Sequence, residues 1–130
     1  MNKKVIAASL AGVVVGAGGA WAIVDLRGAT PREASFITPA QVVQHLGQIE
    51  TVRFTVGYTH TDYSGTEFLD QFQNYRSGFV VTIFRSTLQN YEADPATTFF
   101  GKKIDVRGYV QQYNGYDEIL NPISISAVNQ

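Results

Sequence analysis

The sequence contains no cysteine, and this absence excludes several classes of protein. A disulfide scaffold, a thiolate zinc site and a cysteine nucleophile all need the missing thiol. A bacterial lipoprotein is excluded as well, because its acyl chains are attached to a cysteine. Charged residues make up only 16% of the 130 residues, whereas hydrophobic residues make up 45%. This composition supplies the core of one domain and is not typical of an intrinsically disordered chain.

Residues that could form a catalytic, metal-binding or phosphate-binding site are also scarce. The two histidines, His45 and His60, lie fifteen residues apart, and no acidic residues flank them at a metal-ligand spacing. Asp62, Glu67 and Asp70 could form a carboxylate cluster, but their positions favour a solvated strand edge. The glycines that are close together lie in the apolar N-terminal run, so no phosphate-binding loop is predicted. The sequence therefore predicts a protein that is not an enzyme and holds neither metal nor cofactor.

The N-terminal 24 residues have the composition of a membrane segment. An uncharged run from Val5 to Val24 follows two lysines and ends before Asp25. As a helix, twenty residues span roughly 30 Å, the thickness of a bilayer core. The segment is either a retained transmembrane anchor or a cleaved signal peptide with its cleavage site at Ala20-Trp21-Ala22. The apolar residues beyond that site favour the anchor. Both interpretations leave the N-terminus in the cytoplasm and residues 25–130 outside the inner membrane, in the periplasm.

Small residues recur every fourth position within residues 1–24. They are Ala8, Gly12, Gly16 and Ala20. On a helix they form one narrow stripe that allows another helix to approach closely. The stripe predicts a partner helix in the bilayer, and hence other subunits of a membrane protein complex.

Residues 25–37 mix charge, glycine and proline and are interpreted as a linker, followed by a domain at 38–130. Thr38-Pro39-Ala40-Gln41 has the pattern of a capped helix start, and Gly47 is placed to end that helix. From Ile49 to Tyr58 the apolar period changes to two, which predicts a strand.

Further strands are predicted at 67–72 and 78–84, a helical segment at 85–100, and strands from Ile104 onward. Asn114-Gly115 predicts a type I′ hairpin turn. A helical segment between the third and fourth of five short strands favours an all-β, five-stranded OB-fold barrel over an open β-sandwich. Three phenylalanines are expected inside the barrel. They are Phe54, Phe68 and Phe79.

Roughly residues 37–128 resemble a bacterial OB-fold module that occurs in secreted proteins, alone or beside nuclease domains. The resemblance rests on segments that include Thr51-Val52-Arg53-Phe54-Thr55-Val56, Val81-Thr82-Ile83-Phe84-Arg85-Ser86 and Phe100-Gly101-Lys102-Lys103-Ile104-Asp105-Val106-Arg107-Gly108. It implies an extracytoplasmic domain of the nucleic-acid-binding-like OB type.

The resemblance favours nucleic-acid binding, whereas the charge of the domain opposes it. The hairpin of the resembling modules tends to be basic, whereas this chain has Tyr116-Asp117-Glu118. Residues 25–130 contain eight lysines and arginines against eleven aspartates and glutamates, a net charge of −3. An acidic domain is poorly suited to binding phosphates.

Two hypotheses follow from the sequence. The first is a membrane-anchored, non-catalytic OB domain that serves as an accessory subunit of a membrane complex. The second is an exported OB protein that binds single-stranded nucleic acid or another extended polymer. Tyrosines and nearby cations form the predicted binding surface in either case, because both partner classes use such side chains. These residues are Arg76, Arg85, Lys102, Lys103, Tyr109, Tyr113 and Tyr116.

Overall fold

A computed structural model describes residues 35–129, which form seven strands and four short helical segments. The strands are β1 (Ile49–Thr55), β2 (Tyr58–Thr61), β3 (Glu67–Asp70), β4 (Phe79–Ile83), β5 (Lys103–Tyr113), β6 (Tyr116–Leu120) and β7 (Ser124–Ala127). The 3₁₀ helices are Pro39–His45, Tyr75–Ser77 and Arg85–Asn90, and the α-helix α1 is Pro95–Phe99.

The strands form one sheet in the order β1-β5-β6-β4-β3-β2, and β7 pairs with β5 off this path. Every pairing is antiparallel except that of β4 with β6. The two strands at the ends of the path, β1 and β2, are consecutive in the chain. This order, with α1 between β4 and β5, supports the predicted OB-type topology.

The predicted five-stranded barrel is corrected, because residues 35–129 form a sheet of seven strands in which no ladder joins β1 to β2. The predicted first strand is divided at Gly57. Val56 N–H donates to the Lys102 carbonyl at 2.9 Å, whereas Gly57 N–H donates to the Asp70 carbonyl at 2.9 Å. The chain thus changes neighbours from β5 to β3 within one residue. A Cβ on Gly57 would lie 2.5 Å from the Gln71 carbonyl oxygen, so only glycine fits this crossing.

The seventh strand arises because β5 is long enough to pair with two strands on one edge. β6 pairs with residues 110–113 of β5, and β7 pairs with residues 104–107. Residues 121–123 separate the two, and Asn121 has a positive φ of 49°. Pro122, which cannot donate to a ladder, therefore lies between two strands.

The core lies on one face of the sheet and follows the predicted alternation. Its largest fully buried side chains include Phe79, Leu69, Ile83, Ile104 and Ile119. Phe54 and Phe79 meet edge to face at 5.3 Å, as expected for barrel residues. Phe68 was assigned to the barrel wrongly. It is only half-buried and stacks on His60, because its neighbours Glu67 and Leu69 occupy the inner face of β3.

The turns and caps follow the sequence closely. The Gln41 side-chain oxygen accepts the Thr38 N–H at 2.9 Å, as half of a capping box, although the segment is a 3₁₀ helix. Gly47 has a φ of 86° beyond its end. Asn114 and Gly115 have φ values of 51° and 84°, which confirms the type I′ turn.

The predicted membrane segment, residues 1–24 with the stripe of Ala8, Gly12, Gly16 and Ala20, lies outside the described residues. Among residues 35–129, no helix has the length and apolar character that crossing a bilayer requires. The compact unit that contains the sheet begins at Ser35. Ile37 N–H donates to the Thr51 carbonyl at 2.8 Å, so residue 37 already pairs with β1.

Candidate binding surface

Three tyrosines and an arginine gather at the β5–β6 hairpin. We call Tyr75, Arg76, Tyr113 and Tyr116 the hairpin cluster. The Tyr75 and Tyr116 ring centroids lie 5.1 Å apart at 85°, and those of Tyr113 and Tyr116 lie 6.0 Å apart at 88°. Both are edge-to-face contacts, the arrangement that aromatic quadrupoles favour.

Local sequence explains why these side chains meet. The type I′ turn makes Tyr113 and Tyr116 a directly opposed cross-strand pair. The 3₁₀ helix before β4 adds Tyr75 and Arg76, and its first turn is capped by Asn74, whose side chain accepts the Arg76 N–H at 3.2 Å. The Arg76 guanidinium donates to the Asn114 carbonyl at 3.2 Å, and thus ties this helix to the hairpin tip.

The cluster presents aromatic rings to solvent on a fixed base. Tyr113 is 54% exposed and Tyr75 is 38% exposed, whereas Tyr116 is only 8% exposed. Burial, followed by the nearby Glu118 carboxylate, raises the pKa of Tyr116 to about 12. Its phenol therefore stays neutral over the physiological range, and Tyr116 supports the two exposed rings. Tyr113 and Tyr116 belong to the binding surface predicted from the sequence, whereas Tyr75 was not predicted.

A groove of about 410 Å³ adjoins the cluster. Its walls include Pro39, Gln71, Phe72, Arg76, Tyr116 and Asp117. Most of its polar groups already have partners: Gln112 donates to Asp117 at 3.0 Å, and Gln71 accepts the Phe79 N–H at 3.1 Å. The groove therefore adds a concave surface of both apolar and polar side chains beside the tyrosines.

The other predicted surface residues lie elsewhere on the domain. Tyr109 is on β5 opposite Ile49, at the far end of the β1 ladder from Lys103. Lys102 and Lys103 lie at the start of β5, opposite the end of β1. Arg85 follows β4 whereas Arg76 precedes it, so the strand separates them. Of the predicted cations, only Arg76 therefore lies beside the tyrosines of the hairpin cluster.

The remaining cations of the described domain, Arg53 and Arg107, do not supply a basic track. Arg53 forms a two-pronged ion pair with Asp105, at 2.8 and 3.0 Å, and its guanidinium lies 3.8 Å from the Phe36 ring centre. Arg107 donates to the Thr51 hydroxyl at 3.4 Å. Residues 35–129 hold six lysines and arginines against nine aspartates and glutamates. The described domain is therefore acidic, like the sequence as a whole.

Two carboxylates that were interpreted as a solvated strand edge are buried. Glu67 is 4% exposed and Asp70 is 1% exposed. They lie on opposite faces of β3, because residues separated by an odd number of positions alternate across a strand. Asp62 instead caps the β2–β3 loop, where its side chain accepts the Ser64 and Thr66 N–H groups at 2.8 and 3.1 Å. The three side chains thus form neither a cluster nor a solvated edge.

Glu67 anchors α1 to the sheet. Its side chain accepts the Ala96 N–H at 3.1 Å and is hydrogen bonded to Asp94, the N-cap residue of α1. Burial and the hydrogen bond to Asp94 raise the pKa of Glu67 to about 7. The same bond lowers the pKa of Asp94. The pair therefore holds its proton on Glu67.

Asp70 has no hydrogen-bond partner for either carboxylate oxygen among the described residues. Its nearest basic atom there is His60 Nε2, at 3.7 Å. The His60 ring stacks on Phe68 at 4.5 Å and 9°. Burial raises the pKa of Asp70 to about 7. Glu118, buried two strands away, is different, because it accepts from Thr82 at 2.6 Å and from Gln111 at 2.9 Å.

Within residues 35–129, no group of three or more histidine, aspartate or glutamate side chains is arranged to hold a metal ion. His60 and Asp70 therefore stand as a pair.

The sequence matches no protein-family model and no curated protein. Solved structures do match, and among them is an aspartyl-tRNA synthetase from Leishmania major Friedlin, at a TM-score of 0.52 and 12% identity. The match covers 84% of this chain but only 23% of the synthetase chain. At this identity the likeness shows a shared fold, and it supports an OB-type domain similar to a domain of that synthetase.

Proposed function

We propose that this protein is a non-catalytic interaction module, an OB-type domain that binds a protein partner through the hairpin cluster. In this proposal the N-terminal segment anchors the domain to the outer face of the cytoplasmic membrane, where it acts as an accessory subunit of a membrane protein complex. The observation that carries the proposal is the group of exposed tyrosines beside a single arginine on a braced hairpin.

The composition of the cluster suits a protein interface. Tyrosine and arginine are enriched among the residues that contribute most to binding energy, and rigid aromatic rings lose little entropy on binding. The contacts to Tyr116 and the Arg76 bond to the hairpin tip hold these side chains in place before a partner arrives. A surface organised in advance binds more tightly than one that must be ordered.

Single-stranded nucleic acid is the second candidate, and the strand order favours it. OB-folds bind single strands on stacked aromatic side chains lined with cations. Tyr113 offers such a ring, but Arg85, Lys102 and Lys103 lie apart from it. The acidic balance of residues 35–129 opposes phosphate binding, so this candidate ranks below a protein partner.

The test is co-purification of the tagged full-length chain from native membranes in mild detergent. We expect stoichiometric partner chains with the wild type and at least tenfold lower recovery with the double variant Tyr75→Ala/Tyr113→Ala. Tyr109→Ala is the matched control, because Tyr109 is comparably exposed on the same strand but lies outside the cluster. Equal recovery from the double variant and the control would contradict the assignment.

The anchor and the second candidate are tested separately. Gly12→Leu/Gly16→Leu should release the protein from its complex if the small-residue stripe packs on a partner helix. Fluorescence anisotropy with a single-stranded oligonucleotide at low salt tests nucleic-acid binding. Salt-sensitive binding that is lost in Tyr113→Ala would replace the protein-interaction proposal with the second candidate.

A further inference from the structure

Among residues 35–129, the short strand β7 pairs along one edge, with β5. Val128 N–H donates to the Lys103 carbonyl at 2.9 Å, in register with the β7–β5 ladder. In an antiparallel ladder, every second residue directs its main chain toward the partner strand. Ser124 and Ser126 therefore direct their main-chain groups to β5, whereas Ile125 and Ala127 direct theirs away. Within residues 35–129, the N–H and C=O groups of Ile125 and Ala127 have no hydrogen-bond partner.

A groove of about 380 Å³ adjoins the first half of this edge, where Ser124 and Ile125 line it. Asn121 N–H donates to the Thr82 carbonyl at 2.7 Å, but the next turn bends away, with Phe84 N–H donating to the Asn121 side chain at 2.9 Å. Thr87 and Asn90 of the 3₁₀ helix Arg85–Asn90 also line the groove. Ile123, the residue before β7, is 64% exposed.

We propose that this groove, which we call the β7 groove, binds an extended polypeptide segment of a partner protein that adds to β7 as a further strand. The site is separate from the hairpin cluster and does not depend on the function proposed for that cluster.

The main-chain chemistry of the edge determines the class of partner. Unpaired N–H and C=O groups alternate along a strand edge, and an extended polypeptide presents the complementary repeat. Nucleic acid has no such repeat. The residues that line the groove, moreover, are all uncharged. They are Thr87, Asn90, Tyr91, Asn121, Pro122, Ile123, Ser124 and Ile125. Among residues 35–129, no lysine or arginine lines the groove to bind phosphates.

The shape of the groove and its side chains narrow the partner further. Thr87, Asn90 and Tyr91 line the groove together with Ser124 and Ile125 of β7, so a chain that adds to β7 also contacts these three residues. Ile125 packs against the core, together with Tyr91, whereas Ser124 and Ser126 face the other way. A matching segment therefore alternates apolar residues, which face Ile125 and Tyr91, with polar residues, which face solvent.

The test uses the isotope-labelled full-length chain in detergent and a capped hexapeptide of alternating valine and threonine. We expect NMR shift changes confined to residues 123–127 and 87–91. Hydrogen exchange at the Ile125 and Ala127 amides should slow at least tenfold at saturating peptide. A peptide with the same side chains but methylated at every backbone nitrogen should not bind, because it has no donors for the edge.

Two variants separate strand addition from side-chain docking. Ala127→Pro removes an amide from the free edge but no β7–β5 hydrogen bond, and should weaken peptide binding at least tenfold. Ser126→Ala, the matched control, changes only a side chain that faces solvent and should bind as the wild type does.

Several results would overturn the proposal. They are no shift changes at millimolar peptide, equal binding of the methylated peptide, or the same shift pattern from a single-stranded oligonucleotide. Unaltered binding by a folded Ala127→Pro variant would do so too. If that variant does not fold, the methylated peptide still decides the question on the wild-type chain.

Discussion

Glu67 and Asp70 lie three residues apart on β3, on opposite faces of the strand, and they differ in their hydrogen bonding. Both are nearly inaccessible to solvent, and burial raises the pKa of each to about 7. On the inner face, Glu67 accepts an N–H from α1 and bonds to Asp94. On the outer face, Asp70 has no hydrogen bond among the described residues. Burial thus raises the pKa of both groups, and the hydrogen bond to Asp94 adds to the shift at Glu67. Only Glu67 has hydrogen bonds that would be lost on its removal.

The raised pKa values make stability depend on pH in a defined direction. Between about pH 4 and pH 7 the folded domain binds more protons at these two sites than the unfolded chain does, since their ordinary pKa values are 3.8 and 4.5. Stability therefore falls as pH rises through this window and changes little above it. Asp94 has a lowered pKa, so its contribution is lost only as pH falls below its ordinary value of 3.8. The free energy of unfolding should thus be greatest at about pH 4 to 5, between these two losses.

The largest effect is expected from Asp70→Asn, which removes a buried charge and breaks no hydrogen bond. At pH 8 we expect this variant to be more stable than the wild type by on the order of 2 to 4 kcal/mol, given about 1.4 kcal/mol per pKa unit. At pH 5 the difference should nearly vanish, because Asp70 is then protonated in the folded protein. Urea unfolding of the full chain, followed by near-ultraviolet circular dichroism of its tyrosines, measures both values.

Asp62→Asn is the control for the loss of a carboxylate as such. Asp62 is an exposed loop cap whose hydrogen bonds lower its pKa, first of all the one from the Ser64 side chain. Its replacement should not stabilise the domain at pH 8. A similar gain from both variants would indicate a general relief of negative charge rather than the burial of Asp70.

The next effect has the opposite sign and comes from Glu67→Ala at pH 5. The variant leaves the buried Ala96 N–H without its acceptor, which costs about 1 to 3 kcal/mol. Asp70→Ala at the same pH should change stability little. Glu67→Gln keeps an acceptor for Ala96 and a donor for Asp94, and should restore most of the loss. If both alanine variants destabilised equally, the contrast between the two faces of β3 would be wrong.

Most of the fold could be predicted from the sequence because its signals are local. Alternating apolar residues placed Val52, Phe54 and Ile104 in the core, and Asn114-Gly115 fixed the hairpin. The division of the first strand at Gly57 could not be predicted, because it depends on the close approach of Gln71 from another strand. Phe68 was misplaced for a related reason. An apolar residue on a strand suggests the core, but the phase of β3 is set by its register with β4.

The candidate surface was only partly predictable, because it combines residues that are distant in sequence. The sequence marked Tyr113 and Tyr116, and the structure adds Tyr75, whose ring packs against Tyr116 from much earlier in the chain. The spacing of Glu67 and Asp70 shows that the two face opposite ways, but not that both faces are covered. Burial of the outer face is a tertiary property with no local pattern.

The smallest effect is expected from His60→Gln, and it tests whether Asp70 is governed by burial or by its neighbour. His60 Nε2 lies 3.7 Å from Asp70, with no hydrogen bond between them, and 40% of the histidine side chain is exposed. Partly exposed ion pairs contribute less than about 1 kcal/mol. The variant should therefore retain the fall in stability between about pH 4 and pH 7, because desolvation of Asp70 causes that fall. Should His60→Gln change the pH profile as much as Asp70→Asn does, the two residues would act as a coupled pair. Asp70 could then no longer be treated as an unpartnered carboxylate beside the partnered Glu67.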